Sequence, residues 1–216
     1  MMCRLNGNPI NDMIIYLIRH GQTGWNQEGR FQGNRDTELD TTGVRQAEQM
    51  GKRLSKTQHP IATIYCSPLT RAVQTAQIIN RYTKAKLIPL PDLRELSYGT
   101  WEGKKREEVE KENAVFIRQW MEDRFNIPAP GGESFRDLEE RLQPVMTTLT
   151  SSGAAQVAVL THQGVLKTLL CLFLGISPAQ QSAFWFQNCS LSAVQYNPAA
   201  SHCKILFLND YCHLQE

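Results

Sequence analysis

The sequence predicts an α/β fold of three layers, in which helices cover both faces of a mostly parallel central sheet. Short apolar runs such as residues 14–18 have the continuous hydrophobicity of strands that are buried on both faces. Segments with helical periodicity alternate with these runs, which favours parallel strands joined by crossover helices. The 216 residues, 41% of them hydrophobic, are enough for one domain with a substantial core.

The first half of the chain begins with a predicted strand at residues 14–18. Asp40 can cap a helix that reaches residue 54, because apolar side chains recur there at intervals of three and four. A second strand is expected at residues 61–66. Pro68 follows it and suits the first turn of a helix that continues to about residue 82.

The second half begins with a charged segment, residues 104–124, which is predicted to be an outer helix. Gly131 and Gly132 end it, and Ser134 with Asp137 resembles the capping box of a helix that reaches residue 149. A strand at 156–161 and an apolar helix to residue 174 follow. Two strands, at 191–196 and 204–208, complete the sheet.

The chain shows no composition break that would mark a second domain. Residues 1–12 lack apolar periodicity, so we expect a flexible N-terminal arm followed by a single domain at 13–216. The first residues also lack the apolar stretch of a signal peptide, and no run of about 18 apolar residues could span a bilayer.

Charge and cysteine usage restrict the function classes. A formal net charge of +2 gives no reason to expect nucleic acid or an anionic membrane as a partner. The six cysteines form no CxxC pair, which indicates ordinary thiols in a reducing compartment and makes a zinc site unexpected. We therefore predict a cytoplasmic protein. No carboxylate cluster has metal-ligand spacing, so we also expect no metal and no cofactor; whether the protein forms a homodimer stays open.

Ionisable residues follow three of the predicted strands. Arg19 and His20 follow the first strand, Arg71 lies shortly after the second, and His162 follows the strand at 156–161. Ligands in folds of this class bind beyond the carboxyl ends of the strands, so these side chains are expected to meet at one site.

These residue types suit phosphoryl transfer without a metal. Two arginine side chains can neutralise phosphoryl oxygens through paired hydrogen bonds, and imidazole is a nucleophile that is largely neutral at pH 7. Gly21 lets the backbone bend closely around a bound anion, with its amide available to that anion. The leaving group would also need a proton, which a carboxylic acid can supply.

Five sequence motifs extend this interpretation. They are RHGQTGWN at residues 19–26, SPLTRAVQTA at 67–76, LRELSYGTWEG at 93–103, GGES at 131–134, and Thr161 with His162. In content and order they resemble the motifs of the histidine phosphatase superfamily, which includes the cofactor-dependent phosphoglycerate mutases. The resemblance covers almost the whole chain from Met13.

The resemblance implies a role for each matched residue. His20 would be the nucleophile that becomes phosphorylated, and Glu95 the proton donor, although Glu102 is a nearby carboxylate that could be mistaken for it. Three side chains would hold the phosphoryl oxygens: Arg19, Arg71 and His162. Five further residues would line the pocket: Gly21, Gln22, Thr23, Asn26 and Gln163. Gln163 departs from the family pattern, which commonly has glycine after the second histidine.

The expected function is hydrolysis of a small phosphorylated metabolite through a phosphohistidine intermediate. A phosphoglycerate mutase with the same intermediate is an alternative, but the segment 104–130 is short and charged, which favours access of water. A phospho-ligand binding module without activity is a second alternative, and the presence of both nucleophile and acid argues against it. The substrate stays open among phosphoserine, α-ribazole phosphate, sugar phosphates, phosphoglycerates and a broad range of phosphomonoesters.

Overall fold

A computed structural model describes residues 12–57 and 59–215 of the chain. Six strands form one sheet: β1 (Met13–Arg19), β2 (Thr63–Cys66), β3 (Lys86–Pro89), β4 (Gln156–Thr161), β5 (Leu191–Asn197) and β6 (His202–Asp210). Their spatial order is β3-β2-β4-β1-β5-β6. Strands β3, β2, β4 and β1 are mutually parallel, whereas β5 pairs antiparallel with both β1 and β6.

Seven α-helices lie within the described part of the chain. They are α1 (Gly24–Gln27), α2 (Thr41–Leu54), α3 (Thr70–Thr83), α4 (Arg106–Glu112), α5 (Ala114–Glu122), α6 (Phe135–Thr150) and α7 (Gln163–Leu174). Side-chain caps begin several of them as the sequence predicts. The Asp40 carboxylate accepts from the Gly43 amide at 2.7 Å, and Ser134 forms a capping box with Asp137.

The sheet is the middle layer of three. Along β1, Ile15 and Leu17 pack in one core cluster with α6 and α7, while Tyr16 and Ile18 pack in another with α2 and α3. Successive side chains of a strand point to opposite faces, so a run that is apolar throughout is what a doubly covered strand requires. The predicted three-layer α/β fold is confirmed.

Several details differ from the prediction. Pro68 was expected in the first turn of a helix, but α3 begins at Thr70 with Leu69 as its N-cap, so Pro68 precedes the helix. The edge strand β3 was not predicted, because four residues that include Lys86 and Pro89 carry little strand signal. The expected helix over 104–124 is two helices, since the Asn113 backbone leaves the helical region and its side chain caps α5 through the Phe116 amide. Strand β2 begins at Thr63 rather than at residue 61.

The chain termini bear on the predicted domain boundary. Residues 1–11 of the expected arm lie outside the described residues. Asp12 is described, and its carboxylate accepts hydrogen bonds from Gln195 at 2.8 Å and Asn197 at 2.7 Å, so it belongs with the sheet. Near the other end, His213 contacts Arg53 of α2.

Within the described residues, no helix has the length and apolar character needed to cross a membrane.

Candidate active site

Three neighbouring strands bring the predicted catalytic residues together. His20 follows β1, His162 follows β4 and Ser67 follows β2, and these strands are adjacent in the sheet. The rings of His20 and His162 lie 5.0 Å apart between centroids, and His162 Nε2 is 2.7 Å from the Ser67 hydroxyl. The carboxyl edge of the parallel strands is therefore the site, as expected for this fold class.

His20 is held in one tautomer. Its Nδ1 lies 2.7 Å from the Gly21 carbonyl oxygen, which can only accept, so Nδ1 carries the proton and Nε2 keeps a lone pair. Burial holds the pKa of His20 well below 6.5, and the positive charges of Arg71 and Arg19 lower this pKa further. His20 is thus a neutral imidazole with a free nitrogen at pH 7.

The loop after His20 is fixed from several directions. The Gly21 amide donates to the Thr75 hydroxyl at 3.1 Å, so it is engaged with α3 and not free for an anion. Asn188 donates to the His20 carbonyl oxygen at 3.0 Å. A Cβ added to Gly21 would lie 2.6 Å from the Gly43 carbonyl oxygen. The glycine is required here because α2 approaches the loop so closely.

Two buried arginines flank His20. Arg71 is fully buried and donates to the carbonyl oxygens of Gly33 and Arg35, both at 2.8 Å. Arg19 donates to the Phe186 carbonyl oxygen at 2.8 Å. Burial lowers the pKa of each arginine to about 10, which leaves both charged at pH 7. The buried Nε of each has no hydrogen-bond partner among the described residues.

His162 lies behind this group and is fully buried. Burial holds the pKa of His162 well below 6.5, and Arg71 and the neighbouring His20 lower it further. Its Nδ1 is buried without a hydrogen-bond partner in the described part of the chain. Ser67, which contacts the opposite ring nitrogen, belongs to one of the sequence motifs but had no predicted role.

Glu95 lines the cavity at the start of α7. One of its oxygens accepts from its neighbour's amide, Leu96 N, at 2.9 Å, and the other accepts from Gly164 N at 3.3 Å. The alternative carboxylate, Glu102, is engaged elsewhere: a single oxygen accepts from the amides of Asn34 and Tyr98 at 3.0 and 3.1 Å. Of these two carboxylates, Glu95 lines the cavity and Glu102 does not.

The remaining predicted residues divide into two groups. Asn26 and Gln163 line the cavity. Gln22 and Thr23, together with Gly21, are occupied in the loop itself: the Gln22 amide group donates to Asp40 at 3.0 Å, and the Thr23 side chain caps α1. None of the three lines the cavity itself, but the Thr23 hydroxyl lies 3.1 Å from Gln32 Oε1, and Gln32 is part of the lining.

The cavity has a volume of about 240 Å³ and includes residues that sequence reasoning missed. Arg30, Tyr98, Arg124, Lys167 and Trp185 all line it. Lys167 could have been found, because it stands four residues after Gln163 on the same helix and so shares its face. The others reach the cavity through long-range packing, which no local pattern signals.

The cysteines are free in the described residues, as the sequence predicted. Burial raises the pKa of the Cys66 and Cys171 thiols to about 11 and that of the Cys189 thiol still further, so these groups are poor nucleophiles at pH 7. No group of three or more His, Cys, Asp or Glu side chains within residues 12–57 and 59–215 could hold a metal ion.

Comparisons with known proteins agree with this geometry. A family model described as histidine phosphatase superfamily (branch 1) matches residues 15–210. Phosphoserine phosphatase 1 of Hydrogenobacter thermophilus is 30% identical over 94% of each chain. Phosphoglycerate mutase-like protein 4 of Arabidopsis thaliana is 33% identical over 77% of this chain and 73% of its own. The crystal structure of the α-ribazole phosphatase from Shigella flexneri has a TM-score of 0.83 at 26% identity, over 92% of this chain and 96% of that one.

Proposed function

Because this chain belongs to the histidine phosphatase superfamily, we propose that it hydrolyses phosphomonoesters of small metabolites through a phosphohistidine at His20. One observation carries the proposal: a neutral imidazole with a free Nε2 stands between two buried arginines whose Nε donors are unpaired. Such an arrangement suits a phosphoryl dianion, because the charge is neutralised and the nucleophile needs no deprotonation.

The first step transfers the phosphoryl group to the enzyme. The Nε2 lone pair of His20 forms a bond to phosphorus, while the bond from phosphorus to the ester oxygen breaks and its electrons go to that oxygen. Glu95, in its protonated form, gives the oxygen a proton, and an alcohol leaves. The Gly21 carbonyl keeps the Nδ1 proton of His20, so the ring stabilises the positive charge that develops on it.

The second step releases phosphate. Glu95, now a carboxylate, takes a proton from a water molecule whose oxygen attacks phosphorus. The bond between phosphorus and Nε2 breaks, and its electrons return to His20 as the lone pair. The sum is one ester and one water converted to one alcohol and one phosphate, with the enzyme unchanged.

Arg19, Arg71 and His162 hold the phosphoryl oxygens in this proposal. The two guanidinium groups supply positive charge in a buried setting where its effect is strong. Ser67 lies 2.7 Å from His162 Nε2. If its hydroxyl donates to that nitrogen, Nδ1 carries the proton of His162. The Nδ1–H group can then donate a hydrogen bond to a phosphoryl oxygen.

Mutase activity is a second candidate, favoured by the similarity to the phosphoglycerate mutase-like protein. A mutase must keep the phosphohistidine from water until a second hydroxyl accepts the group. In this chain the segment 104–130 forms two short helices that pack on the cluster around Trp101 and Trp120. Because such a short, charged segment favours access of water to the phosphohistidine, we favour hydrolysis. Both activities should be assayed in parallel.

The test of the nucleophile uses His20→Ala, with the exposed His202→Ala as the matched control. Hydrolysis of p-nitrophenyl phosphate should fall to background only in the first variant. Rapid quench of the wild type with a ³²P-labelled substrate should trap an acid-labile, base-stable adduct on His20. Both experiments should give the same result in excess EDTA. Substantial turnover by folded His20→Ala would refute the mechanism.

The test of the acid compares Glu95→Gln with Glu102→Gln. General acid–base help is worth about 10²–10⁴ in rate, so Glu95→Gln should lose that much with alkyl phosphates. The loss in the phosphorylation step should be much smaller with p-nitrophenyl phosphate, whose leaving group hardly needs a proton. Glu102→Gln keeps an acceptor oxygen for its backbone contacts and should stay active. Equal losses of phosphorylation rate for both substrates would remove Glu95 from the acid role.

The setting of the enzyme is proposed from the same features. We propose a cytoplasmic enzyme whose partner is a small phosphorylated metabolite, without nucleic acid, membrane, metal or cofactor. A homodimer stays an open prediction, which light scattering of the purified chain would decide.

A further inference from the structure

The cavity carries more positive charge than the phosphoryl group requires. Arg19 and Arg71 flank His20, and two further cations, Arg124 and Lys167, line the same cavity. These two are not part of the proposed transfer steps. They come from different parts of the chain, since Arg124 follows α5 and Lys167 lies in α7.

Arg124 is half-buried at the cavity wall. Its guanidinium carbon lies 4.4 Å from the centre of the buried Trp120 ring, which orients the side chain. No carboxylate pairs with it among the described residues. Burial lowers the pKa of Arg124; Tyr98 opposes this effect, and the positive charge of Arg106 adds to it.

Lys167 is half-buried as well and also lacks an ion-pair partner in the described part of the chain. Its ammonium lies 5.8 Å from the centre of the exposed Trp185 ring at the cavity. Burial lowers the pKa of Lys167, with Arg124 as the next contribution and Glu95 opposing it. The two cations thus repel each other, and Glu95, the acidic residue of this wall, is already bonded to two amides.

Arg30 shows the contrast. It also lines the cavity, but its guanidinium is bonded to Glu28 at 2.6 Å and lies 3.8 Å from Glu108. Its charge is compensated within the protein. Keeping Arg124 and Lys167 half-buried without such compensation is costly unless a ligand supplies negative charge.

We infer that Arg124 and Lys167 form a second anion-binding point, which selects phosphomonoesters whose leaving group carries a further anionic group. The inference rests on the proposed phosphatase function and names its substrate class. The second anion is a carboxylate or another phosphate, since both accept hydrogen bonds from guanidinium and ammonium groups. A cavity of about 240 Å³ limits such a substrate to a small metabolite.

Two matched substrate pairs test the inference. 3-Phosphoglycerate and glycerol 3-phosphate differ by a carboxylate, and fructose 1,6-bisphosphate and fructose 6-phosphate differ by a phosphate. The second anion would gain hydrogen bonds to charged groups. We therefore expect kcat/KM, measured by phosphate release, to be about ten- to a hundredfold higher for the doubly anionic member of at least one pair. The pair with the larger ratio identifies the second anion.

Variants assign the effect to the two cations. In Arg124→Met and Lys167→Met the ratio should fall about tenfold, because the second contact is lost. Arg136→Met is the control, since Arg136 also stacks on an aromatic ring, Phe125, but does not line the cavity; its ratio should match the wild type. Hydrolysis of p-nitrophenyl phosphate with ratios near one in both pairs would overturn this inference alone. Absence of hydrolysis of every substrate would overturn the proposed function together with it.

Discussion

The two buried histidines predict how stability depends on pH. Burial and the nearby arginines keep His20 and His162 neutral in the folded protein by holding their pKa values well below 6.5. In the unfolded chain both bind a proton below about pH 6.5. The unfolded state then holds more protons, so the free energy of unfolding falls as the pH drops through this window.

The size of the effect follows from linkage. Between pH 6.5 and 5.5, each histidine that stays neutral in the fold and titrates when unfolded removes about 1 kcal/mol of stability. Together the two remove about 2 kcal/mol, a considerable share of the 5–15 kcal/mol that is typical of domains. Full stability from this source is present above about pH 7.

Urea denaturation at several pH values measures this dependence, at constant ionic strength and without phosphate. His162→Gln removes one titrating group, so the loss between pH 6.5 and 5.5 should be about 1 kcal/mol smaller than in the wild type. His202→Gln, on the exposed side of β6, should show the wild-type loss. Asp210 and Asp137, whose pKa values are lowered by hydrogen bonds, contribute equally to all three proteins. Identical slopes for His162→Gln and the wild type would refute the reasoning.

Two further predictions concern a close packing contact and a pair of hydrogen bonds. Gly164→Ala should reduce turnover by about tenfold or more with little change in melting temperature, because the new Cβ would lie 2.7 Å from a Glu95 oxygen and displace the carboxyl group. Gly24→Ala, which meets no atom within 4 Å, is its control in steady-state assays, and equal activities would contradict the idea. Asp12→Ala should lower the free energy of unfolding by about 1–2 kcal/mol, since two side-chain hydrogen bonds to β5 are lost. An unchanged urea midpoint would show that these two hydrogen bonds contribute nothing measurable to stability.

The layered fold could be predicted because its central strands are buried on both faces. A run such as residues 14–18 is apolar throughout, and that property is visible in the sequence itself. Strand β3 lies at the sheet edge, where its four residues are only partly covered, so the apolar signal is weak. Its pairing with β2 is a tertiary event that local sequence does not encode.

The site residues also differ in how far the sequence predicts their position. His20 and His162 directly follow strands and Arg71 lies shortly after one, so the predicted topology and the motifs together place all three at one edge of the sheet. Arg124 and Trp185 reach the cavity from loops whose course depends on the packing of other elements. Gly21 was expected to offer its amide to an anion, and only the position of α3 shows that Thr75 has taken that amide.

The contacts of Arg71 also bear on how the site could change. The two terminal nitrogens of its guanidinium donate to the backbone at Gly33 and Arg35, while its buried Nε has no partner among the described residues. Replacing it with lysine would keep a positive charge but could not span both carbonyl oxygens and a phosphoryl oxygen with the same planar geometry. If Arg71 binds the phosphoryl group as proposed, a substitution at this position changes the affinity for that group and the shape of the cavity wall together. Redesign of this enzyme for a new leaving group has to begin at residues that perform only one of these tasks.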